Sequence, residues 1–222
     1  MRGSAAKKRR NNMRIVDLSH YFDNDMPVYP GIPRPLFKDI ATLEENGYGM
    51  SEYRFINHTG THIDAPSHHV PGASLDDIPL ERLVTDAVVL NFTEHERGAI
   101  TKAEIEPFLE RIKPGDIVLI NSGGYRYWGT DKYWNGWCYP DAEASQALLE
   151  RKISAIGFDG PSSDPVETTT YPLHRIWLGA GCLIIENLTN LDQLPERTLL
   201  VVAPLKVRAS NGSPVRVLAL ID

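Results

Sequence analysis

The chain has 222 residues and a formal net charge of −6, with 42% hydrophobic and 23% charged residues. This length supports one substantial core but is short for two full domains, so a single domain is predicted. The composition excludes a disordered or fibrous chain, and no apolar run is long enough to cross a bilayer. The absence of a signal-peptide pattern favours a cytoplasmic protein.

The first dozen residues form a basic leader. Residues 1–12 contain five Arg or Lys side chains and no acid, which is typical of a disordered or vector-derived segment; a nuclear-localisation or nucleic-acid-binding patch is the alternative. Without these five residues the formal net charge of the remaining chain, 13–222, would be −11. Such a body repels polyphosphate, so we expect no nucleic-acid partner, and instead a small-molecule enzyme or a cation binder.

Apolar, β-branched runs predict a strand-rich domain that contains few helices. Two helices are predicted, at 141–152 and at 101–112, where Thr101 and Glu104 have capping-box spacing but Pro107 is a defect. Together these elements predict an α/β domain with a mixed, strand-heavy core and not a regular doubly wound sheet. In chain order, the predicted strands are 15–18, 87–92, 117–120, 153–158, 183–185, 199–203 and 215–221.

A cluster of histidines follows the first predicted strand. Residues 57–69 contain four histidines and one aspartate. His58, His62 and Asp64 are separated by four and two positions, and neutral imidazole and carboxylate are ligands that zinc and manganese accept. The sequence therefore predicts a metal site here, and the alternative is a histidine-rich surface loop.

The local conformation of this cluster is predicted to be a turn followed by a short extended segment. A helix is disfavoured because the intervening residues are weak helix formers and Pro66 cannot continue one. A turn at Thr59 and Gly60 would let His58 approach, while His62 and Asp64 would share one face of a strand.

A second part of the site is expected from a distant part of the chain, because three ligands leave even a four-coordinate ion open. His174 and Glu186 are the candidates, and they lie twelve residues apart. Glu186 directly follows the predicted buried strand 183–185, where a carboxylate needs a partner. A cation would be that partner.

Other side chains allow two interpretations. Cys138 and Cys182 do not form a C-x-x-C pair, and each is either a spare metal ligand or, as we expect, a small buried hydrophobe.

The segment 125–139 is rich in aromatic residues and is either a pocket wall or lid, or packing beneath a long loop, and one set of rings can serve both purposes. Its aromatic residues are Tyr125, Tyr127, Trp128, Tyr133, Trp134, Trp137 and Tyr139.

The histidine cluster resembles a known family. The pattern His58-x-x-x-His62-x-Asp64-x-x-x-His68 is similar to the H-x-G-T-H-x-D-x-P-x-H signature of the cyclase family of metal-dependent hydrolases, which includes bacterial kynurenine formamidase and isatin hydrolase. The resemblance implies a swivelling β/β/α-type single domain that assembles into homo-oligomers such as dimers or tetramers. Further similar segments are 17–19, 26–31, 157–162, 174–186, 203–206 and 211–216.

The resemblance also implies a site. It implies that one or two divalent ions, zinc or manganese, are bound per subunit, and that His68 transfers protons. The positions that match the family's ligands are His58, His62, Asp64 and Glu186 at one ion, and Asp64, His174 and Glu186 at the other.

Two neighbouring positions bear on the substrate. Tyr29 matches the position of a substrate-stacking tryptophan in kynurenine formamidases; a phenol keeps the aromatic face but covers less area, so N-formylkynurenine is compatible with the site without being required. His69 is expected to point away from His68, behind the ligands or at the surface.

This donor set suits hydrolysis, since two bridging carboxylates can hold divalent ions that activate water and polarise a carbonyl, while His68 moves protons. We predict a metal-dependent amidohydrolase that cleaves the C–N bond of a small aryl or cyclic amide. The alternatives are an isatin or lactone hydrolase, a cyclase or dehydratase on the same site, and a non-catalytic metal-binding protein.

Overall fold

The computed structural model describes residues 13–221. The predictions for the basic leader, residues 1–12, fall outside the described residues and stay predictions.

Twelve strands are described, and eight of them form the central sheet. The strands are β1 (Arg14–Asp17), β2 (Leu36–Ala41), β3 (Met50–Arg54), β4 (His62–Asp64), β5 (Val84–Asn91), β6 (Gly98–Ile100), β7 (Ile117–Asn121), β8 (Cys138–Pro140), β9 (Ala155–Phe158), β10 (Leu183–Glu186), β11 (Arg197–Pro204) and β12 (Gly212–Ile221). The order in the large sheet is β1-β12-β11-β5-β7-β9-β10-β4, and β4 also pairs with β12. Seven strands therefore close into a barrel-like ring, and β1 is added outside the ring on β12.

The sheet is mixed, as predicted. Strands β5, β7, β9 and β10 run parallel to one another, whereas β11, β12 and β4 pair with their neighbours in antiparallel fashion. All seven predicted strands are present, and the prediction of a single α/β domain with a strand-heavy core is confirmed. The parallel strands were recognisable because both of their faces are buried, which produces continuous apolar runs.

Strand β4 is the short extended segment predicted around His62 and Asp64, and the remaining four strands were not predicted. β2 and β3 form a separate hairpin and β6 and β8 a separate pair. The residues of β3 are all exposed, so this strand lacks the apolar alternation that identifies a half-buried strand.

The helices are short. Those described are α1 (Leu43–Asn46), α2 (Lys102–Ile105), α3 (Ala142–Glu150) and α4 (Pro172–Gly179). Within the described part of the chain, none of these has the length and apolar character needed to span a membrane. Single 3₁₀ turns or short 3₁₀ helices lie at Pro66–His68, Leu75–Asp77, Leu80–Arg82, Glu106–Arg111, Gly124–Tyr127, Asp131–Trp134 and Leu191–Gln193.

Both predicted helices exist, with altered ends. The capping box at Thr101 is formed, because the Glu104 carboxylate accepts the Thr101 N–H at 2.8 Å. The segment then continues as a 3₁₀ helix at Glu106–Arg111, since Pro107 lacks the N–H that an α-helix needs. Asp141 caps α3 by accepting the Ala144 N–H at 2.8 Å. Helix α4 was not predicted.

Two apolar clusters lie on opposite faces of the sheet. Alternate residues of the ring strands, such as Ile63, Leu119 and Ile185, form one cluster that fills the inside of the ring. The intervening residues, such as Ile120 and Ile184, belong to a second cluster that packs against α3 and α4.

The pairing of β4 places the distant parts of the histidine site side by side. In the antiparallel pair of β4 and β10, His62 lies opposite Glu186. In the pair of β4 and β12, Asp64 lies opposite Gly212. The closure of the ring through β4 therefore brings Glu186 to the early histidines.

Candidate metal centre

Strands β4 and β10 supply the buried centre of the site. His62 Nε2 lies 3.5 Å from Asp64 Oδ1 and 3.4 Å from Glu186 Oε2. All three side chains are buried. The predicted sharing of one strand face by His62 and Asp64 is found, since the two alternate with Ile63, which faces the core.

The turn before β4 brings in His58. Gly60 adopts φ +62°, a conformation that favours glycine, and the chain reverses so that His58 Nδ1 lies 2.7 Å from Asp64 Oδ1. His58 Nε2 lies 3.2 Å from Asn211 Oδ1, in the loop before β12. Burial is the largest single effect and lowers the pKa of His58, but the hydrogen bonds with Asp64 and Asn211 and the negative charges of Asp64 and Glu186 together outweigh it, and the net shift is upward.

Helix α4 supplies His174. Its Nε2 lies 3.3 Å from Glu186 Oε1 and 3.8 Å from Asp64 Oδ2. Its Nδ1 is hydrogen-bonded to the Asp164 carboxylate, which also accepts the backbone N–H groups of Leu173 and His174. Asp164 therefore caps the first turn of α4 and orients the imidazole at once. Sequence reasoning missed Asp164, because nothing in its spacing indicates that it folds back onto α4.

The electrostatics of the site favour positive charge. Burial opposes ionisation of Asp64, but the neighbouring His62 and His58 outweigh it and lower the pKa of the carboxyl. Burial is the largest single effect and lowers the pKa of His174, but the hydrogen bonds with Asp164 and Glu186 and the negative charges of Glu186 and Asp64 together outweigh it and raise this pKa to about 10. The carboxylates around the site thus favour the protonated forms of His58 and His174, and a bound cation would take the place of that positive charge.

The donor set fits a divalent ion. Asp64 Oδ2 is buried and has no hydrogen-bond partner among the described residues, and such an orphaned oxygen costs free energy unless it is paired. Donor atoms of His62, Asp64 and Glu186 lie within 4.8 Å of one another, as do those of His58, Asp64 and His68. Imidazole and carboxylate donors suit zinc and manganese.

His68 lies at the mouth of the cluster, in the 3₁₀ turn Pro66–His68. Its ring stacks on that of His58 with centroids 3.8 Å apart. Burial lowers the pKa of His68 to about 3. The imidazole is therefore neutral at neutral pH.

The expectation for His69 is wrong. His69 lines the same cavity as His68, and its ring centroid lies 4.7 Å from that of His174 and 5.2 Å from that of Tyr171. The physical reason is the 3₁₀ turn Pro66–His68: the N–H of His69 donates to the Pro66 carbonyl, so the chain turns here and does not continue as an extended segment with successive side chains on opposite sides. Both histidines can then face one cavity.

A cavity of about 330 Å³ opens above the histidines. Its other wall is apolar and aromatic and includes Tyr29, which meets Trp134 edge to face at 6.0 Å. Trp128 and Trp134 line the cavity, whereas Tyr133 and Trp137 are buried. The aromatic segment 125–139 therefore both forms a pocket wall and packs beneath it.

The two cysteines are free and buried, as expected of small hydrophobes. Burial raises the pKa of Cys138 to about 11 and that of Cys182 to about 12. Neither lines the cavity of the histidine site.

Gly212 allows the close approach of His58, which yields a first prediction. A Cβ at Gly212 would overlap the His58 imidazole, so Gly212→Ala should displace His58 from Asp64. We expect a loss of about 1–3 kcal/mol in the free energy of unfolding, measured by urea denaturation, together with weaker metal binding. Gly49→Ala is the matched control, since a Cβ there meets nothing within 4 Å. Equal behaviour of the two variants would contradict the prediction.

Asp159 yields a prediction on pH dependence. It is 1% exposed and accepts hydrogen bonds from Ser122 Oγ at 2.6 Å and Gly124 N at 2.9 Å. Burial is the largest effect and raises its pKa from 3.8 to about 6, against these hydrogen bonds, which lower it. The folded state thus holds this proton more tightly than the unfolded state does, so the associated stability is present below pH 3.8 and is lost as the pH rises to about 6.

The measurement is urea denaturation of metal-free protein across this pH range, with Asp159→Asn as the comparison. The free energy of unfolding of the wild type minus that of Asp159→Asn should fall by on the order of 3 kcal/mol as the pH rises from 3.8 to about 6. A difference between the two proteins that stays constant with pH, or grows, would refute the assignment.

A strand-rich α/β domain that gathers imidazoles and carboxylates at an aromatic cavity has the features of a metal-dependent enzyme. Residues 16–165, well over half of the chain, match the Cyclase family model. The chain belongs to the Cyclase family.

Individual relatives agree with this assignment. The chain is 28% identical over 208 residues to a kynurenine formamidase of Salinibacter ruber, covering 92% of this chain and 96% of that protein. It is 30% identical to a kynurenine formamidase of Polaromonas naphthalenivorans, covering 92% and 89%. The structure is similar to that of isatin hydrolase A from Labrenzia aggregata bound to benzyl benzoate, with a TM-score of 0.85, 32% identity and 94% of each chain covered. The predicted family and the predicted class, a metal-dependent amide hydrolase, are confirmed.

Proposed function

We propose that the chain cleaves the C–N bond of a small aryl or cyclic amide, with His68 as the group that moves protons. The observation that carries this proposal is the convergence of Glu186 and His174 with the early histidines at the floor of an aromatic cavity. The names of its relatives, kynurenine formamidase and isatin hydrolase, support the choice of amide.

Five side chains would hold one or two divalent ions, with zinc and manganese as the candidates. A bound ion of this kind would lower the pKa of water and polarise the substrate carbonyl. Asp64 and Glu186 supply negative charge at the centre. The Asp164 carboxylate accepts a hydrogen bond from Nδ1 of His174, so that Nε2 of this ring faces the site. The proposed ligands are His58, His62, Asp64, His174 and Glu186.

The proposed role of His68 is to accept and return a proton. Its ring centroid lies 3.8 Å from that of His58 and 6.1 Å from that of His174, and it lines the cavity. A neutral imidazole has the free nitrogen that a general base requires, and once protonated it can donate to the departing nitrogen.

The aromatic wall would receive the substrate. Tyr29, Trp128 and Trp134 line the same cavity as the histidines, and their rings can pack against an aryl group. A cyclic amide such as isatin is the second candidate substrate, and the similarity to isatin hydrolase A favours it.

For assembly and location we keep the sequence-based expectations, a homo-oligomer in the cytoplasm, as proposals. A homo-oligomer is supported by the exposed apolar side chains of Ile40, Met50 and Tyr53 on the β2–β3 hairpin, which a second subunit could cover. The free thiols of Cys138 and Cys182 are consistent with the cytoplasm.

The test combines metal analysis with a substrate panel. Purified protein is assayed with N-formylkynurenine, isatin and simple aryl esters, with and without a chelator, and in ¹⁸O-labelled water. We expect chelation to remove activity, added zinc or manganese to restore it, and the product acid to carry one labelled oxygen. A rate that survives complete metal removal, or turnover that consumes no water, would contradict the proposal.

A further inference from the structure

His62 is oriented from behind by a backbone carbonyl. Its Nδ1 lies 2.8 Å from the carbonyl oxygen of Gly60. Because a carbonyl oxygen can only accept, Nδ1 carries a ring hydrogen, and Nε2, the nitrogen beside Asp64 and Glu186, is the one that would bind a cation. The Gly60 carbonyl therefore sets both the tautomer and the ring orientation of His62.

The Gly60 carbonyl is held in turn by the side chain of Asn187. Asn187 Nδ2 donates to Gly60 O at 2.8 Å. Asn187 directly follows Glu186 and has φ 58°, a conformation that asparagine tolerates better than most residues. One amide side chain thus connects the segment that carries His62 with the segment that carries Glu186.

Tyr133 completes this chain of hydrogen bonds. Since the amide nitrogen of Asn187 donates to Gly60, its Oδ1 is the atom that faces Tyr133, and the Tyr133 hydroxyl donates to it at 2.6 Å. Tyr133 is 2% exposed, and burial raises its pKa well above the usual value, so the hydroxyl keeps its hydrogen.

The same tyrosine supports the aromatic wall. Its ring packs edge to face against Trp128 at 5.1 Å and against Trp134 at 5.3 Å, and both tryptophans line the cavity. Tyr133 does not line the cavity. It is therefore placed to act on the site through its neighbours and not on the substrate.

We propose that Tyr133 is a positioning residue of the metal centre, which fixes the orientation of His62 through Asn187 and the Gly60 carbonyl. This inference rests on the proposed function in one respect, that His62 is a metal ligand. As a consequence, Tyr133 would support both the aromatic wall that receives the substrate and the centre that binds the ion.

The test measures the affinity for the metal alone. Metal-free protein is titrated with Zn²⁺ in competition with a chromophoric chelator. Tyr133→Phe keeps the ring and removes the hydroxyl, and we expect its affinity for Zn²⁺ to fall by about 10-fold, as is usual when a group that orients a metal-bound histidine is lost. Tyr139→Phe is the matched control, because Tyr139 lies in the same aromatic segment but outside this chain of hydrogen bonds, and its Zn²⁺ affinity should equal that of the wild type.

A second variant guards against a fold defect in the first. Asn187→Gly removes the bridging amide while glycine readily adopts the positive φ of this position, and the loss of Zn²⁺ affinity should be at least as large as in Tyr133→Phe. Thermal unfolding of the metal-free proteins is measured in parallel. Variants that melt at a lower temperature but bind Zn²⁺ as tightly as the wild type would overturn the positioning role. A wild-type protein that binds neither Zn²⁺ nor Mn²⁺ would instead overturn the proposed function.

Discussion

Asp64→Asn is expected to abolish metal binding and to lower kcat/KM by about 10³-fold or more, since the activation of water and substrate by a metal contributes several kcal/mol. Asp64 is fully buried, and its carboxylate lies 2.7 Å from His58 and 3.5 Å from His62. The asparagine side chain lacks the negative charge of aspartate, and an NH₂ group, a hydrogen-bond donor, replaces one carboxylate oxygen beside the imidazole nitrogens. The ligand that the proposed ions would share is thereby lost.

The measurement is metal content by plasma emission spectrometry, together with kcat/KM on the best amide of the substrate panel. Asp131→Asn serves as the control, because Asp131 is exposed, and it should retain both the metal and the rate. An Asp64→Asn protein that keeps its metal and its activity would refute the assignment of this carboxylate.

His68→Ala is expected to lower kcat by about 10²–10⁴-fold, the usual contribution of a general acid or base, while metal content is retained. His68 stacks on His58 and lines the cavity, whereas His62 and His174 each lie within 4 Å of both the Asp64 and the Glu186 carboxylates. The rate should therefore fall without loss of the ion.

The adjacent histidine provides the matched control. His69 also lines the cavity, so His69→Ala should change KM more than kcat, through lost contact with the substrate. Two results would contradict the role of His68: equal losses of kcat in the two variants, or loss of the metal in His68→Ala.

The strands of the core were predictable because of where they lie in the sheet. β7, β9 and β10 are buried along their whole length, and burial on both faces leaves an apolar run that can be recognised in the sequence. The β2–β3 hairpin escaped prediction because its residues are mostly exposed. Helix α4 escaped because it has only eight residues, too few for a helical pattern to stand out.

The early ligand cluster was predictable for a different reason, since His58, His62 and Asp64 lie within seven residues. At such short range a turn at Gly60 and a strand face determine the geometry. His69 shows the limit of this reasoning, because one 3₁₀ turn in place of an extended segment reversed its direction.

Local features were thus predicted from the sequence alone: the types of the donor residues, their spacing, the buried strands and the helix caps. The sequence did not show which strands pair with one another. Strand pairing depends on the closure of the whole ring and on the apolar surface that this closure buries. The β4–β10 register places Glu186 opposite His62, α4 directs His174 at both carboxylates, and Tyr133 reaches His62 only through Asn187 and Gly60. Glu186 and His62, His174 and Asp64, Tyr133 and Asn187, and Asn187 and Gly60 are each more than fifty positions apart. Over such separations, spacing along the chain carries no geometric information.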